Sequence, residues 1–197
     1  MTQKKILPIV IAALIVVGVV LIGKSVPVYP AFQKEAGTFD KLKAQMSENA
    51  VFPELDGDTE TEYTIILDRR TISAKPIGYV IESEKTSEAG EFRFSYEGKE
   101  EEENQDQKHY ESEYEYRSVN IGIAYGKDAA VPARSCCVTI QFSYRGMTYE
   151  LKGLYTRNMD IEKSNDEQAA ENQAKIEQMQ DYLLKQCHEM IDKALEK

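Results

Sequence analysis

Apolar and polar positions follow three rhythms along this chain. From residue 6 to residue 23 every position is apolar or glycine apart from Pro8, with Lys4 and Lys5 before the run and Lys24 after it. At 1.5 Å per residue such a helix is about 27 Å long, enough for the hydrocarbon core of a bilayer. The lysine pair on the N-terminal flank favours an inside N-terminus and places the remainder outside the cytoplasm. A cleaved signal peptide is the alternative, although its small-x-small site is Gly23-Lys24-Ser25, with a lysine inside it. The expected organisation is a cytoplasmic N-terminus over residues 1–5, a transmembrane anchor over 6–23, a linker over 24–31 and an extracytoplasmic domain over 32–197. Cleavage would release the same domain as a secreted protein.

The second rhythm is helical. Phe32, Ala36, Phe39, Leu42 and Met46 recur at steps of three or four and share one face of a short helix. Gly37 weakens its first turn, so Thr38 is the better N-cap. The helix should end near Asn49, ahead of Pro53 and the turn at Asp56-Gly57-Asp58. The same rhythm returns near the C-terminus, where Ser164 and Glu167 match a capping box. Ile176, Met179, Leu183, Cys187, Met190 and Ala194 then form a stripe. Its steps average about 3.6 residues rather than the 3.5 of a two-stranded coiled coil, which suits docking on a sheet. The polar start of this helix, residues 165–175, is expected in solvent.

Between the helices the period is two. Tyr63, Ile65 and Leu67 share a strand face, as do Ile77, Tyr79 and Ile81, then Phe92, Phe94 and Tyr96. Tyr110, Tyr114 and Tyr116 occupy even positions, whereas Val119, Ile121, Ile123 and Tyr125 occupy odd ones. That switch of parity predicts a bulge or bend at Arg117 and Ser118. Residues 134–156 read as a hairpin with Arg145 and Gly146 as its two-residue turn. This register sets Tyr144 opposite Met147, Phe142 opposite Tyr149, Ile140 opposite Leu151 and Cys136 opposite Tyr155, while Thr139, Gln141 and Ser143 face the other way. The predicted fold is α+β: an N-terminal transmembrane helix, then an antiparallel sheet of about six or seven strands. A short N-terminal helix and a long C-terminal helix flank that sheet, the long one packed on one face.

Charge narrows the list of partners. With 24 Lys and Arg against 34 Asp and Glu the net charge is −10, and no cationic cluster exists to hold a phosphate backbone, so nucleic acid is excluded. Residues 18–25 spell GVVLIGKS, the letters of a phosphate loop. The positions that should curl round phosphate are bulky and apolar, and Pro27 and Pro30 break the helix that should follow, so a nucleotide site is rejected. With 3 Cys and 2 His the chain builds neither a disulfide scaffold nor a Cys/His zinc module. The alternating carboxylates from Asp56 to Glu62 resemble a calcium loop but lack the glycine and glutamate it requires, leaving a solvated turn. Residues 97–108 form an acidic, low-complexity loop. No metal or cofactor is expected.

Little catalytic chemistry is visible. Neither His109 nor His188 belongs to a motif that supplies a nucleophile and an orienting acid, so both are expected at the surface. The 12 tyrosines line strand faces, chiefly for packing. Adjacent Cys136 and Cys137 point to opposite faces of a strand, so Cys136, not Cys137, is the candidate disulfide partner of Cys187 on the helix stripe. The expected function is a non-catalytic, membrane-anchored binding or interaction module, held at the membrane by its N-terminal helix. Its ligand, protein or small molecule, is not specified. A cell-surface hydrolase whose site converges only in three dimensions is the rival, with a structural cell-envelope component as a third reading.

Overall fold

Alternation builds a single antiparallel sheet. The computed structural model describes residues 32–55, 60–70, 74–87, 90–101, 110–126, 135–158 and 164–196. The proposed anchor at 6–23 lies outside them, and among the described residues no helix is long and apolar enough to cross a membrane. Eight strands form the sheet: β1 (Phe32–Gly37), β2 (Glu60–Asp68), β3 (Lys75–Ser87), β4 (Gly90–Glu100), β5 (Ser112–Tyr116), β6 (Val119–Gly126), β7 (Ser135–Tyr144) and β8 (Met147–Arg157). Their order is β1-β2-β3-β4-β8-β7-β6-β5, so two four-stranded meanders meet along β4 and β8. Among the described residues two helices accompany them, α1 (Phe39–Gln45) and α2 (Asn165–Leu195).

Eight strands replace the expected six or seven for two reasons. Phe32 and Ala36 belong to β1, not to a helix, and β1 pairs with β2 from Phe32 opposite Asp68 to Gly37 opposite Tyr63. A spacing of four satisfies a strand as well as a helix, and pairing with β2 gives this backbone hydrogen bonds that a fragment of helix interrupted by Gly37 lacks. The helix begins where Thr38 caps it, its hydroxyl accepting from the Lys41 amide at 3.3 Å, and ends at Gln45, earlier than the expected Asn49. The second reason is the parity switch at Arg117 and Ser118, which is neither a bulge nor a bend. Both residues have positive φ, 49° and 63°, and Tyr116 pairs with Val119 across a tight hairpin turn. A two-residue turn also reverses parity, and without a glycine it leaves no signature of its own.

The Arg145–Gly146 hairpin has the predicted register throughout, from Tyr144 opposite Met147 to Cys136 opposite Tyr155. Ile77 departs from expectation. The register slips between Ile66, which pairs with Gly78, and Leu67, which pairs with Pro76, leaving Ile77 as the extra residue. It packs with Ile66 and Val80, apart from the core that holds Tyr79 and Ile81. The Glu-rich stretch beginning at Glu97 is partly strand as well, since β4 continues to Glu100, whose carboxylate meets Lys75 at 2.8 Å.

One face of the sheet carries the core. The α2 stripe of Met179, Leu183, Cys187, Met190 and Ala194, joined by Ile191, is buried against Ile140, Leu151 and Tyr155. Gly153 lets the helix approach, because a Cβ there would lie 3.2 Å from the Met179 sulfur and 3.3 Å from Leu183 Cδ1. The capping box forms as predicted, with the Ser164 amide donating to Glu167 and the Glu167 amide to Ser164 Oγ. On the other half of the same face lie α1, through the fully buried Leu42, and the segment after it, through Ala50 and Val51. Two strand tyrosines clamp that segment. Tyr79 donates its hydroxyl hydrogen to the Val51 carbonyl, and Tyr149 accepts from the Val51 amide at 3.2 Å while donating to the Asn49 carbonyl at 3.3 Å.

Two substitutions measure these two coverings. Tyr79→Phe keeps the ring but strands a buried carbonyl, and should lower stability by about 1–3 kcal/mol. Leu183→Ala opens a cavity under α2 and should cost about 2–5 kcal/mol. Urea unfolding should give both losses with an unchanged dependence on denaturant.

Candidate functional site

The densest polar chemistry lies where the last turns of α2 cross β5. Tyr114 and Tyr116 project inward from β5 at alternate positions, and His188 and Asp192 project from α2 one turn apart, so the periods of strand and helix match at this crossing. Tyr114 Oη and His188 Nε2 are 2.8 Å apart. The Tyr116 ring stacks on the imidazole with centroids 3.9 Å apart and 19° between planes, and its hydroxyl donates to Asp192 Oδ2 at 3.1 Å. Arg117, in the β5–β6 turn, closes the group with Nε 2.9 Å from Asp192 Oδ1.

Burial shapes the protonation of this cluster. The Tyr114 hydroxyl is pushed up to about 12 by burial, with smaller contributions from Cys187 and Tyr116. His188 is held below its ordinary 6.5 by burial, partly offset by the Asp192 charge. A neutral imidazole hydrogen-bonded through Nε2 to a protonated tyrosine is therefore the favoured state. Sequence placed His188 at the surface, whereas the fold half-buries it between two tyrosines. His109 lies outside the described residues. Each polar group of the cluster is turned on another, so the arrangement works as a lock between helix and sheet.

The cysteines follow the predicted faces but do not meet. Cys136 and Cys187 both belong to the main core, while Cys137 points the other way, its sulfur 3.9 Å from Thr139 Oγ1. None of the three is joined in a disulfide. Cys136 meets α2 at the Asn172 carbonyl, 3.8 Å from its sulfur. Cys187 lies fifteen residues further along the same helix, about 22 Å at its rise per residue. Sharing a face is thus no guarantee of sharing a position along it. Burial pushes Cys136 up to about 11 and Cys187 to about 12, which disfavours the reactive thiolates. The start of α2 is less solvated than its sequence implies. Glu171 turns inward, where Tyr155 donates to it at 3.3 Å and Arg157 Nη1 lies at 4.0 Å with both charged side chains largely buried.

The opposite face of the sheet carries two open hollows. One, of about 550 Å³, is lined by Glu60, Glu62, Glu82, Glu84, Arg93 and Lys152 among others. Strand register sets Glu60 directly opposite Glu84 and Glu62 opposite Glu82, with Arg93 next to Glu84 on the following strand. The predicted turn before this strand falls on residues 56–59, outside the described ones, and β2 begins at Glu60 as expected of a run leading into a strand. The other hollow, of about 510 Å³, lies over β5, β6 and β7 and is lined by Tyr110, Glu113, Asn120, Gln141 and Arg145 among others. Among the described residues no group of three or more His, Cys, Asp or Glu is placed to hold a metal ion. Sequence inspection noted Glu60, Glu62, Tyr110 and Gln141 but not these groupings, because their members lie on different strands and meet only through the register.

Two measurements address the cluster and the thiols. An unfolded chain binds a proton at His188 that the folded chain refuses, so lowering pH through 6.5 favours unfolding. The melting temperature should fall more steeply from about pH 7 to about pH 5 in the native protein than in His188→Gln, whose amide can still hydrogen-bond Tyr114 but does not titrate. Thiol titration of the unfolded, unreduced protein should count all three cysteines as free.

Comparison with known proteins adds no relative to this geometry: no family model, no curated protein and no solved structure matches the chain.

Proposed function

We propose that this chain is a non-catalytic binding module, tethered to the membrane by residues 6–23 and displayed outside the cytoplasm, which meets its ligand through the uncovered face of its sheet. One observation carries the reading. Among the described residues both helices and the segment clamped by Tyr79 and Tyr149 lie on the same face, and the opposite face, apart from the buried cluster of Ile66, Ile77 and Val80, carries the open hollows. An antiparallel sheet tolerates water on one side when that side is polar, and here it bears Glu62, Glu82, Ser95, Lys152 and Thr139 across neighbouring strands.

Electrostatics supports the same side. Like charges directly opposite in a sheet work against folding, and the pairs Glu60 with Glu84 and Glu62 with Glu82 are of that kind. Such residues contribute nothing to the core, so contact with a partner gives this face a role that folding does not. On the other side the chemically active groups are already bonded to one another, His188 to Tyr114 and Asp192 to Tyr116 and Arg117. That favours a binding module over an enzyme.

Two results test the reading. Protease added to intact cells should remove the domain, and a fully protected C-terminus would overturn the topology. Photo-crosslinking residues at Ser95 or Lys152 should capture a partner in native membranes, whereas one at Lys185, on the solvent side of α2, should not. Capture from Lys185 alone would show that the helical face is the working surface.

A further inference from the structure

Charge is sorted along the first strands of the sheet. β2 opens on Glu60 and Glu62 and runs out into Asp68, Arg69 and Arg70, whereas β3 opens on Lys75 and carries Glu82 and Glu84 further along. Antiparallel register sets Asp68 opposite Lys75 and Glu60 opposite Glu84, so cations collect at one end and carboxylates at the other. β1 brings Lys34 to the cationic end, opposite Ile66, and β4 brings Lys99, opposite Gly78. Ile66 in turn faces Gly78, so Lys34, Ile66, Gly78 and Lys99 stand in one row on the uncovered face. Asp68 and Glu100 pair with Arg70 and Lys75 at 2.8 Å each. Among the described residues, even with Glu101 added, cations outnumber carboxylates at this end of a chain whose net charge is −10.

Phe32, the first residue of β1, binds this group together. Its ring lies 4.9 Å from the Arg70 guanidinium and 4.8 Å from the Lys99 ammonium, yet it remains 36% exposed. Lys99 reaches it across two strands because Gly78 offers no side chain in between; a Cβ there would lie 3.3 Å from Lys99 Cβ. An exposed aromatic ring among long cations has the composition of a bilayer-surface contact, in which the ring enters the headgroup layer and Lys and Arg meet phosphate. Chain length points to the same occupant. The apolar run ends at Gly23, and only residues 24–31 separate it from Phe32. Fully extended, that linker spans at most about 28 Å. A membrane tether therefore reaches the sheet at its cationic end, whereas β3 carries the opposite end about 40 Å away.

We propose that the cationic end of the sheet, with Phe32 at its centre, docks on anionic lipid headgroups of the membrane that holds the tether. The proposal rests on the tether of residues 6–23 but not on which side of the membrane the domain lies. Docking in this way turns the hollow at Glu60 and Glu84 away from the lipid, toward a ligand in solution.

The chain has no tryptophan, so Phe32→Trp supplies a single fluorophore and keeps the cation–π contacts. The full chain carrying it is placed in nanodiscs of phosphatidylcholine, with or without phosphatidylglycerol. Phosphatidylglycerol should shift the emission to the blue and protect the tryptophan from acrylamide. Raising salt from about 0.1 M to about 1 M, which shortens the screening length from about 10 Å to about 3 Å, should remove that difference. Adding Lys34→Gln and Lys75→Gln should reduce the docked population about tenfold, since each cation near such a surface counts for about fivefold. Thr86→Trp, near the other end of β3, should respond to neither lipid nor salt. A chain that does not co-purify with phosphatidylcholine discs would overturn tether and docking together. A chain that does co-purify, yet gives the same Phe32→Trp emission in both discs, overturns the docking alone. A shift that follows the number of chains per disc rather than the lipid would place a second copy on the patch, and it too overturns the proposal.

Discussion

Tyrosine hydroxyls fasten the covering layer of this protein to its sheet. A tyrosine on an inward strand position gives its ring to the core and carries one polar group to the far side of that ring, where a helix or loop lies. Tyr79 and Tyr149 use that group to hold the backbone of Asn49 and Val51. Tyr96, Tyr114, Tyr116, Tyr125 and Tyr155 use it to hold Tyr182, His188, Asp192, Gln180 and Glu171 along α2. Apolar packing alone tolerates sliding, because dispersion contacts have little direction. A hydroxyl buried away from its partner is costly, so these bonds fix where along the sheet each covering element can sit. Burial raises Tyr79, Tyr114, Tyr149 and Tyr155 above the ordinary phenol range, which keeps these hydroxyls protonated as donors.

Concentrating the covering on one face leaves the sheet two-sided in character. The inner side is apolar and directional; the outer side, apart from the buried cluster of Ile66, Ile77 and Val80, is largely polar and shaped by strand register. Outer residues meet across strands rather than along the chain, so Glu60 finds Glu84 and Glu113 finds Gln141 by way of Gly122. A ligand bound there would touch several strands and disturb none of the bonds that hold α2. On the proposed reading the two sides carry separate duties, stability on one and recognition on the other.

Legibility followed the range of the interaction. The Arg145–Gly146 hairpin was readable because a glycine marks its turn and four apolar pairs agree on its register. The capping box at Ser164 and the α2 stripe were readable for the same reason, since each lies within a few turns of one helix. The Arg117–Ser118 turn was hidden because positive φ in two non-glycine residues has no composition signal. β1 was read as helix because Phe32 and Ala36 fit both periods, and only β2 beside it settles the choice. Ile77 was misassigned because the bulge that reverses it depends on pairing with Ile66 and Leu67. Of the candidate sites, sequence spacing identified the face of each cysteine but not its distance along α2. It gave no hint of the row at Glu113, Gly122 and Gln141.

By itself, the sequence determined the period of most segments, β1 excepted, and so most of the side chains that turn inward and that the class is α+β with a long C-terminal helix. Those properties are local: they follow from 3.6 residues per helical turn and two per strand repeat. Beyond the Arg145–Gly146 hairpin, tertiary structure decided which inward residue meets which. It took His188 from the expected surface to a position between Tyr114 and Tyr116, separated Cys136 from Cys187, and gathered single outward residues into hollows. The physical reason is that strand order and helix placement are set by the sum of many weak contacts over the whole core, and no short stretch of chain contains that sum.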